Sequence, residues 1–313
     1  MASQPLEQAA PAALAGKPSL RDRILDGELG GYLLLAPAAL VLLALTVWPL
    51  LYSIGISFTD AHLGAPVAPS FIGLENYRRL IADPLFLGSL ATTAKLLAIA
   101  VPLQLALGYL CATVFRAAAP FPGGRLLRTV FILPTMITPL CIALFWSYIF
   151  NPLFGIANAL LTALHLPIGQ WFTGTDSALP TLVVVYLWEW TPFTTLLLLA
   201  GLLSISPSIY EAARIDGARW WDISLRIDLP LIGRVMAVAA ILSIVEVIRI
   251  FDLVYGTTQG GPGTATLTNA VAIYRIGFQD FATGYAAATS LLILLVTIVI
   301  AQWLARSLAE ETA

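Results

Sequence analysis

Five charged side chains lie in the interiors of long apolar runs of this chain, more than two residues from a run's end: Lys95, Glu189, Glu246, Arg249 and Asp252. A charged group at the middle of a bilayer costs about 2.5–3.5 kcal/mol on insertion scales and tends to face a protein interior or a wet cavity. Glu246, Arg249 and Asp252 follow one another at three-residue spacing, which on one helix places them along one face. Such a ladder can neutralise itself and steady a bundle, or it can line a polar path. Glu189 sits in LWEWTPF, where Trp188, Trp190 and Phe193 flank a carboxylate close to Pro192. Flat rings beside carboxylates suit a polyhydroxylated solute, since the rings can stack on C–H faces and the carboxylates accept from hydroxyls. Pro192 has no N–H for the Trp188 carbonyl, so the helix is expected to kink and to leave that carbonyl free in mid-membrane. Aromatic clusters in membrane helices also serve packing, and both readings stand at this point.

A second concentration of polar chemistry is YEAARIDGARWWDISLRIDLP, residues 210–230, with seven charged residues between two apolar runs. Ser206 and Pro207 suit an N-cap and first helical position, and Ser208 with Glu211 offers an alternative capping box. The helix is predicted to end at Gly217, which readily takes a left-handed conformation. A second helix, ARWWDISLRID, leads to Pro230. Ile209, Ala212, Ala213 and Asp216 share one side of the first helix, and the two alanines permit close approach by another backbone. A helix this short is marginal alone and needs a partner surface. Trp220 and Trp221 supply an anchor at the lipid headgroup layer. Glu211 can pair with a basic residue on that partner, cap its own helix, or do both.

The elements that must position these residues are set by composition. Apolar residues make up 59% and charged residues 11%, against roughly 45–50% and about 25% in soluble domains. The expected fold is an all-α membrane protein. Crossing a bilayer takes about 20 mainly apolar residues in a helix, and six runs qualify: 30–58, 85–115, 126–150, 179–203, 232–255 and 283–306. With the N-terminus inside, the inner segments hold Lys17, Arg21, Arg23, Arg116, Arg125, Arg128, Arg214, Arg219, Arg226, Arg234 and Arg306, and the outer ones only Arg78, Arg79 and Arg275. That bias places both termini and the 206–230 loop in the cytoplasm. The organisation is therefore a cytoplasmic tail with an amphipathic segment (1–29), a six-helix membrane domain (30–306) and a short cytoplasmic tail (307–313).

Several chemistries are disfavoured. No phosphate-binding G-x-x-x-x-G-K-[ST] loop occurs, so ATP chemistry by that route must come from another chain. His62 and His165 fall in outer loops, and Cys111 and Cys141 lie in apolar runs as small hydrophobes. No metal site, cofactor or nucleic-acid surface is expected.

Glu211, Ala212 and Ala213, then Gly217 after three residues, Ile227 after nine more, and Leu229 with Pro230, together resemble the EAA signature of permease subunits in binding-protein-dependent ABC importers. Six spans, this motif between the fourth and fifth, and TQGGPG (258–263) after the fifth resemble the carbohydrate branch, which includes the maltose, trehalose, polyol and glycerol-phosphate importers. The resemblance implies a type I importer permease fold in a bacterial inner membrane. Its implied partners are membrane lipid, a second permease, two ATPase subunits carrying ATP and magnesium, and an external solute-binding protein. Glu211, Ala212, Ala213, Asp216, Gly217, Ile227, Leu229 and Pro230 then form the ATPase-docking segment. Maltose-type permeases contact solute from the fourth and fifth spans, which carries that role to Trp188, Glu189, Trp190, Phe193, Glu246, Val247 and Ile250, and Arg249 joins this path as a member of the charged ladder. The carboxylates at Glu189 and Glu246 replace uncharged residues of the maltose permease, implying a different ligand, and the short 151–178 loop lacks that permease's extra external domain. The implied cargo is a sugar. Alternatives are a polyol or phosphorylated polyol, a proton-coupled secondary transporter using Glu189, Glu246 and Asp252, or a membrane enzyme.

Overall fold

The structure is a computed structural model and describes residues 28–118 and 122–310. The expected tail at 1–29 lies outside these apart from its last two residues, as do residues 311–313. Described residues are helices joined by turns, with one isolated bridge between Thr59 and Phe71. The chain divides into two units at Gly55.

The first unit belongs to one apolar rod: α1 (Glu28–Leu42), a π-helical segment Leu43–Val47, and α2 (Trp48–Ser57), which ends just past the boundary. Residues 34–57 suffice to cross a bilayer, in keeping with the expected first span.

The second unit begins at Ile56. Asn76, on α3 (Glu75–Ala82), donates its amide to the carbonyls of Ser57 (2.8 Å) and Thr59 (2.9 Å). Asp83 then caps α4 (Pro84–Ala117), its Oδ1 accepting from the Leu85 N–H at 2.9 Å with Pro84 at the first helical position. At 1.5 Å per residue its 34 residues reach about 51 Å, ample for a bilayer. The expected third span is not a single helix. It is split into α5 (Gly124–Ile132) with a 3₁₀ turn Leu133–Met136, and α6 (Pro139–Ile149), bent by 97°. The cause is local: Thr138 precedes a proline and is extended, with ψ 137°.

After α7 (Ile156–Ala163) comes α8 (Ala178–Leu203), which matches the expected fourth span. The polar interruption folds into α9 (Pro207–Ile215) and an elbow made of α10 (Trp220–Ile223), a π segment Ser224–Asp228 and α11 (Leu229–Leu231). The elbow meets α12 (Gly233–Ile248) at 73°.

The expected fifth span also requires correction. α12 has 16 residues and stops at Ile248; the chain turns through 249–251 before α13 (Asp252–Thr257). Glu246, Arg249 and Asp252 therefore do not share one helix face. The turn is held by the Thr268 hydroxyl, which donates to the Ile250 carbonyl at 3.3 Å. α14 (Asn269–Tyr274) and the final helix α15 (Thr283–Glu310) complete the chain, α15 running four residues past the expected boundary at Arg306.

The core sits where α4 lies along α8. Gly108 of α4 makes the approach possible, because a Cβ there would be 2.8 Å from the Thr194 Cγ2. Around Tyr186 of α8, Leu96 and Val101 of α4, Ile142 of α6, Val247 of α12, and Leu253 and Val254 of α13 form one buried cluster.

Candidate solute path and docking segment

The candidate docking segment is built from its caps. Ser206 is extended (ψ 131°) and Pro207 opens α9, but neither expected side-chain cap forms: the Ser206 and Ser208 hydroxyls bond each other at 2.9 Å. At the other end Gly217 has φ +76°, its N–H donates to Arg214 O (3.1 Å), and the Ala218 N–H donates to Ala213 O (2.9 Å). This is the double-bonded helix stop that glycine favours. Glu211, Ala212, Asp216 and Gly217 are exposed, while Ala213 is turned inward and buried. Ile227 and Leu229 are half-buried and Pro230 exposed. Trp220 is 72% exposed, and the Arg219 guanidinium lies 5.1 Å over the Trp221 ring.

Behind that exposed face is a cluster sequence reading did not find. Asp228 is 0% exposed and its carboxylate accepts four hydrogen bonds. Arg116, in the last turn of α4, donates Nη1 to Oδ1 (3.0 Å) and Nη2 to Oδ2 (2.8 Å). The hydroxyls of Tyr210 (2.6 Å) and Tyr109 (3.2 Å) complete the set. Arg116 Nη1 also donates to the Tyr210 hydroxyl, and its guanidinium sits 4.6 Å over the Tyr210 ring. Burial and the bond to Asp228 hold the Tyr210 phenol above its ordinary pKa. Arg116 and Asp228 are 112 residues apart, so no local spacing could have announced the pair.

The candidate solute residues are distributed over several faces. Neighbours on a helix are turned about 100° apart, so Trp188, Glu189 and Trp190 cannot all face one cavity. Trp188 is 37% exposed and lines a cavity of about 710 Å³ with Leu107, Phe131, Pro134 and Thr191, its ring edge-on to Trp146 at 5.5 Å. The Thr191 hydroxyl is buried there without a partner. Glu189 is 3% exposed. Trp190 packs against the core cluster that contains Val247 and Ile250, and exposed Phe193 meets it edge-on at 6.3 Å. Glu246 is half-buried. Arg249 is exposed and lines a separate cavity of about 460 Å³ with Phe251, Tyr274 and Ser290.

α8 runs uninterrupted through Pro192. Next to it lies Gln104 of α4, which the sequence reading also passed over. Its Oε1 accepts from the Tyr186 hydroxyl (2.9 Å), and its Nε2 donates to Thr194 Oγ1 (2.7 Å) and the Trp190 carbonyl (3.4 Å). A glutamine within the apolar stretch 96–108 was the available signal.

Residues 104–310 match the model of the binding-protein-dependent transport system inner membrane component family. The chain is 33% identical over 272 residues to the trehalose/maltose transport system permease protein MalF of Thermococcus litoralis, covering 86% of this chain and 91% of that protein. It is 32% identical over 262 residues to the trehalose transport system permease protein SugA of Mycobacterium tuberculosis, covering 84% and 83%. A chain in a crystal structure of a bacterial alginate ABC transporter, in complex with an alginate-bound periplasmic protein, superposes with a TM-score of 0.79 at 21% identity over 92% of this chain and 96% of its own. That likeness is one of fold.

Proposed function

We propose, for a chain that belongs to the inner membrane components of binding-protein-dependent transport systems, that its cargo is a carbohydrate moved by alternating access. Likeness over most of the chain to permeases named for trehalose and maltose carries this reading. In the proposed complex the chain pairs with a second permease in a bacterial inner membrane. Two ATPase subunits bind ATP and magnesium in the cytoplasm, and an external binding protein delivers the solute. Both termini and the 206–230 loop face the cytoplasm.

The segment of Glu211, Ala212, Ala213, Asp216, Gly217, Ile227, Leu229 and Pro230 docks on one ATPase subunit, with Glu211, Ala212, Asp216 and Gly217 exposed to it. ATP-driven closure of the ATPases brings the two docking helices together, and the permeases rock so that the path opens to one side and then the other. Trp188, Glu189, Trp190, Phe193, Glu246, Val247, Arg249 and Ile250 bound the path, with rings to stack on sugar faces and carboxylates to accept from hydroxyls. The buried carboxylate of Glu189 and the half-buried one of Glu246 favour a neutral cargo over a phosphorylated one, since Arg249 is the one cation in that set and it lines another cavity.

The test is uptake by the assembled complex across mono-, di- and oligosaccharides and polyols, with Glu189→Gln and Glu246→Gln alongside. Uptake of a carbohydrate that stops without ATPase subunits and changes in affinity or selectivity in these variants is expected. Uptake that survives their removal and collapses with an uncoupler would overturn the reading in favour of a proton-driven carrier.

A further inference from the structure

We infer that α4 is the rod that carries the docking stroke to the solute path, with Arg116 as the positioning residue at its loop end and Gln104 at its path end. The inference rests on the reading of function above and concerns how the 206–230 loop moves the spans. α9 has nine residues and presents one buried side chain, Ala213. A helix so short and so exposed cannot by its own packing push six spans. Its chain connections lead only to α8 on one side and the elbow on the other.

The Asp228 carboxylate adds a third connection. It takes one hydrogen bond from α9 through Tyr210 and three from α4 through Arg116 and Tyr109, while belonging itself to the elbow. All three elements are thus fastened at one group that is closed to solvent. Tyr210 precedes Glu211, so a push on the docking face reaches the fastening within one residue. The Arg116 guanidinium both bonds and covers Tyr210, which resists sliding as well as separation.

Along α4, Arg116 and Gln104 are twelve residues apart, about 18 Å of helix. Gln104 is 1% exposed and grips α8 at three points spanning Tyr186 to Thr194, the stretch that holds Glu189 and Trp190. Between the two grips Gly108 lets α4 lie in contact with Thr194, so the rod has no slack against α8. Displacement of the docking helix therefore moves α4 and, through Gln104, the candidate path residues. Sequence order alone would route the stroke through the 204–206 turn.

The test uses the complex of both permeases and both ATPase subunits in liposomes, with trehalose- or maltose-loaded binding protein as the probe. ATP hydrolysis with and without the loaded binding protein is measured for wild type, Tyr210→Phe, Asp228→Asn, and the exchange of Arg116→Asp with Asp228→Arg. Tyr210→Phe keeps the ring under the guanidinium and removes only the hydroxyl, so the complex should assemble. Expected is basal hydrolysis within about twofold of wild type, stimulation by the loaded binding protein reduced about tenfold in Asp228→Asn and severalfold in Tyr210→Phe, and partial return in the exchange variant. Gln104→Met combined with Tyr210→Phe should add little to the worse single variant, because both cut one route. Unchanged stimulation in Tyr210→Phe and Asp228→Asn would overturn the inference, as would basal and stimulated rates falling together, the mark of a merely structural role. A wild-type complex whose hydrolysis is not stimulated by binding protein loaded with any of the mono-, di- or oligosaccharides or polyols would instead overturn the reading of function.

Discussion

Arg116 closes both η nitrogens on the carboxylate of Asp228, at 3.0 and 2.8 Å, across 112 residues of chain. The carboxylate has no exposure, so its charge depends on Arg116 for compensation, with the Tyr210 and Tyr109 hydroxyls as further donors. Removing one partner of a buried pair leaves the other uncompensated and costs about 3–5 kcal/mol, whereas replacing both by apolar groups is often nearly neutral. Arg116→Met alone should thus lower the thermal midpoint of the detergent-solubilised protein by several degrees, and Arg116→Met with Asp228→Leu should recover much of it. A double variant as unstable as the sum of its singles would contradict this account.

Gly217 makes a different kind of demand. Its φ of +76° is left-handed, yet a Cβ there would meet nothing within 4 Å. The cost of a side chain is conformational, about 1–2 kcal/mol, and not one of bulk. Gly217→Ala and Gly217→Val should both reduce uptake severalfold, while Gly217→Asn, which tolerates this conformation, should keep most of it. Wild-type uptake in Gly217→Ala would refute the argument.

At Gly108 the demand is steric. A methyl group would sit 2.8 Å from the Thr194 Cγ2 and 3.2 Å from its Cβ, and overpacking of this kind costs about 1–3 kcal/mol. Gly108→Ala should lower the melting temperature. Adding Thr194→Ser, which deletes Cγ2 and retains the hydroxyl bonded by Gln104, should restore part of the loss, as differential scanning fluorimetry can report.

Asp83 predicts an acid dependence. Burial works to raise its pKa, but the Tyr285 hydroxyl at 2.7 Å, the Leu85 and Phe86 amides and the nearby Arg79 outweigh it, and the value is lowered. A depressed folded pKa contributes stability that is fully present above the ordinary carboxylate value of about 3.9 and is lost as pH falls through the folded value. The difference in melting temperature between wild type and Asp83→Asn should therefore shrink as pH is lowered from 6 to 3. A constant difference would show that the charge of Asp83 is not what matters.

Much of the architecture was legible in the residues. Runs such as 85–115 and 179–203 announce helices because a backbone in lipid has few other ways to satisfy its polar groups. The stop at Gly217 was legible because one residue type dominates that conformation. The break after Ile248 was not, because it is stabilised from elsewhere: Thr268 bonds the Ile250 carbonyl from 18 residues downstream. Nothing in VEVIRIFD marks a helix end, so Glu246, Arg249 and Asp252 read as one face when they are not. The bend in the third run had a visible local cause in Pro139, which holds Thr138 extended, whereas the close approach of α6 to α13, where a Cβ on Gly256 would meet Ala143, joins segments distant in sequence.

By itself the sequence determined the membrane class, the number of apolar runs and the EAA-like signature, since each is a matter of local composition or spacing along the chain. Only tertiary structure decided which face each polar residue presents and which distant groups it meets. Trp188, Glu189 and Trp190 are consecutive in sequence and diverge in space, while Arg116, Tyr210 and Asp228 are scattered in sequence and converge on one buried charge. The physical reason is that a helix turns each successive side chain by a fixed angle, whereas a buried carboxylate must gather its donors from whatever elements pack around it.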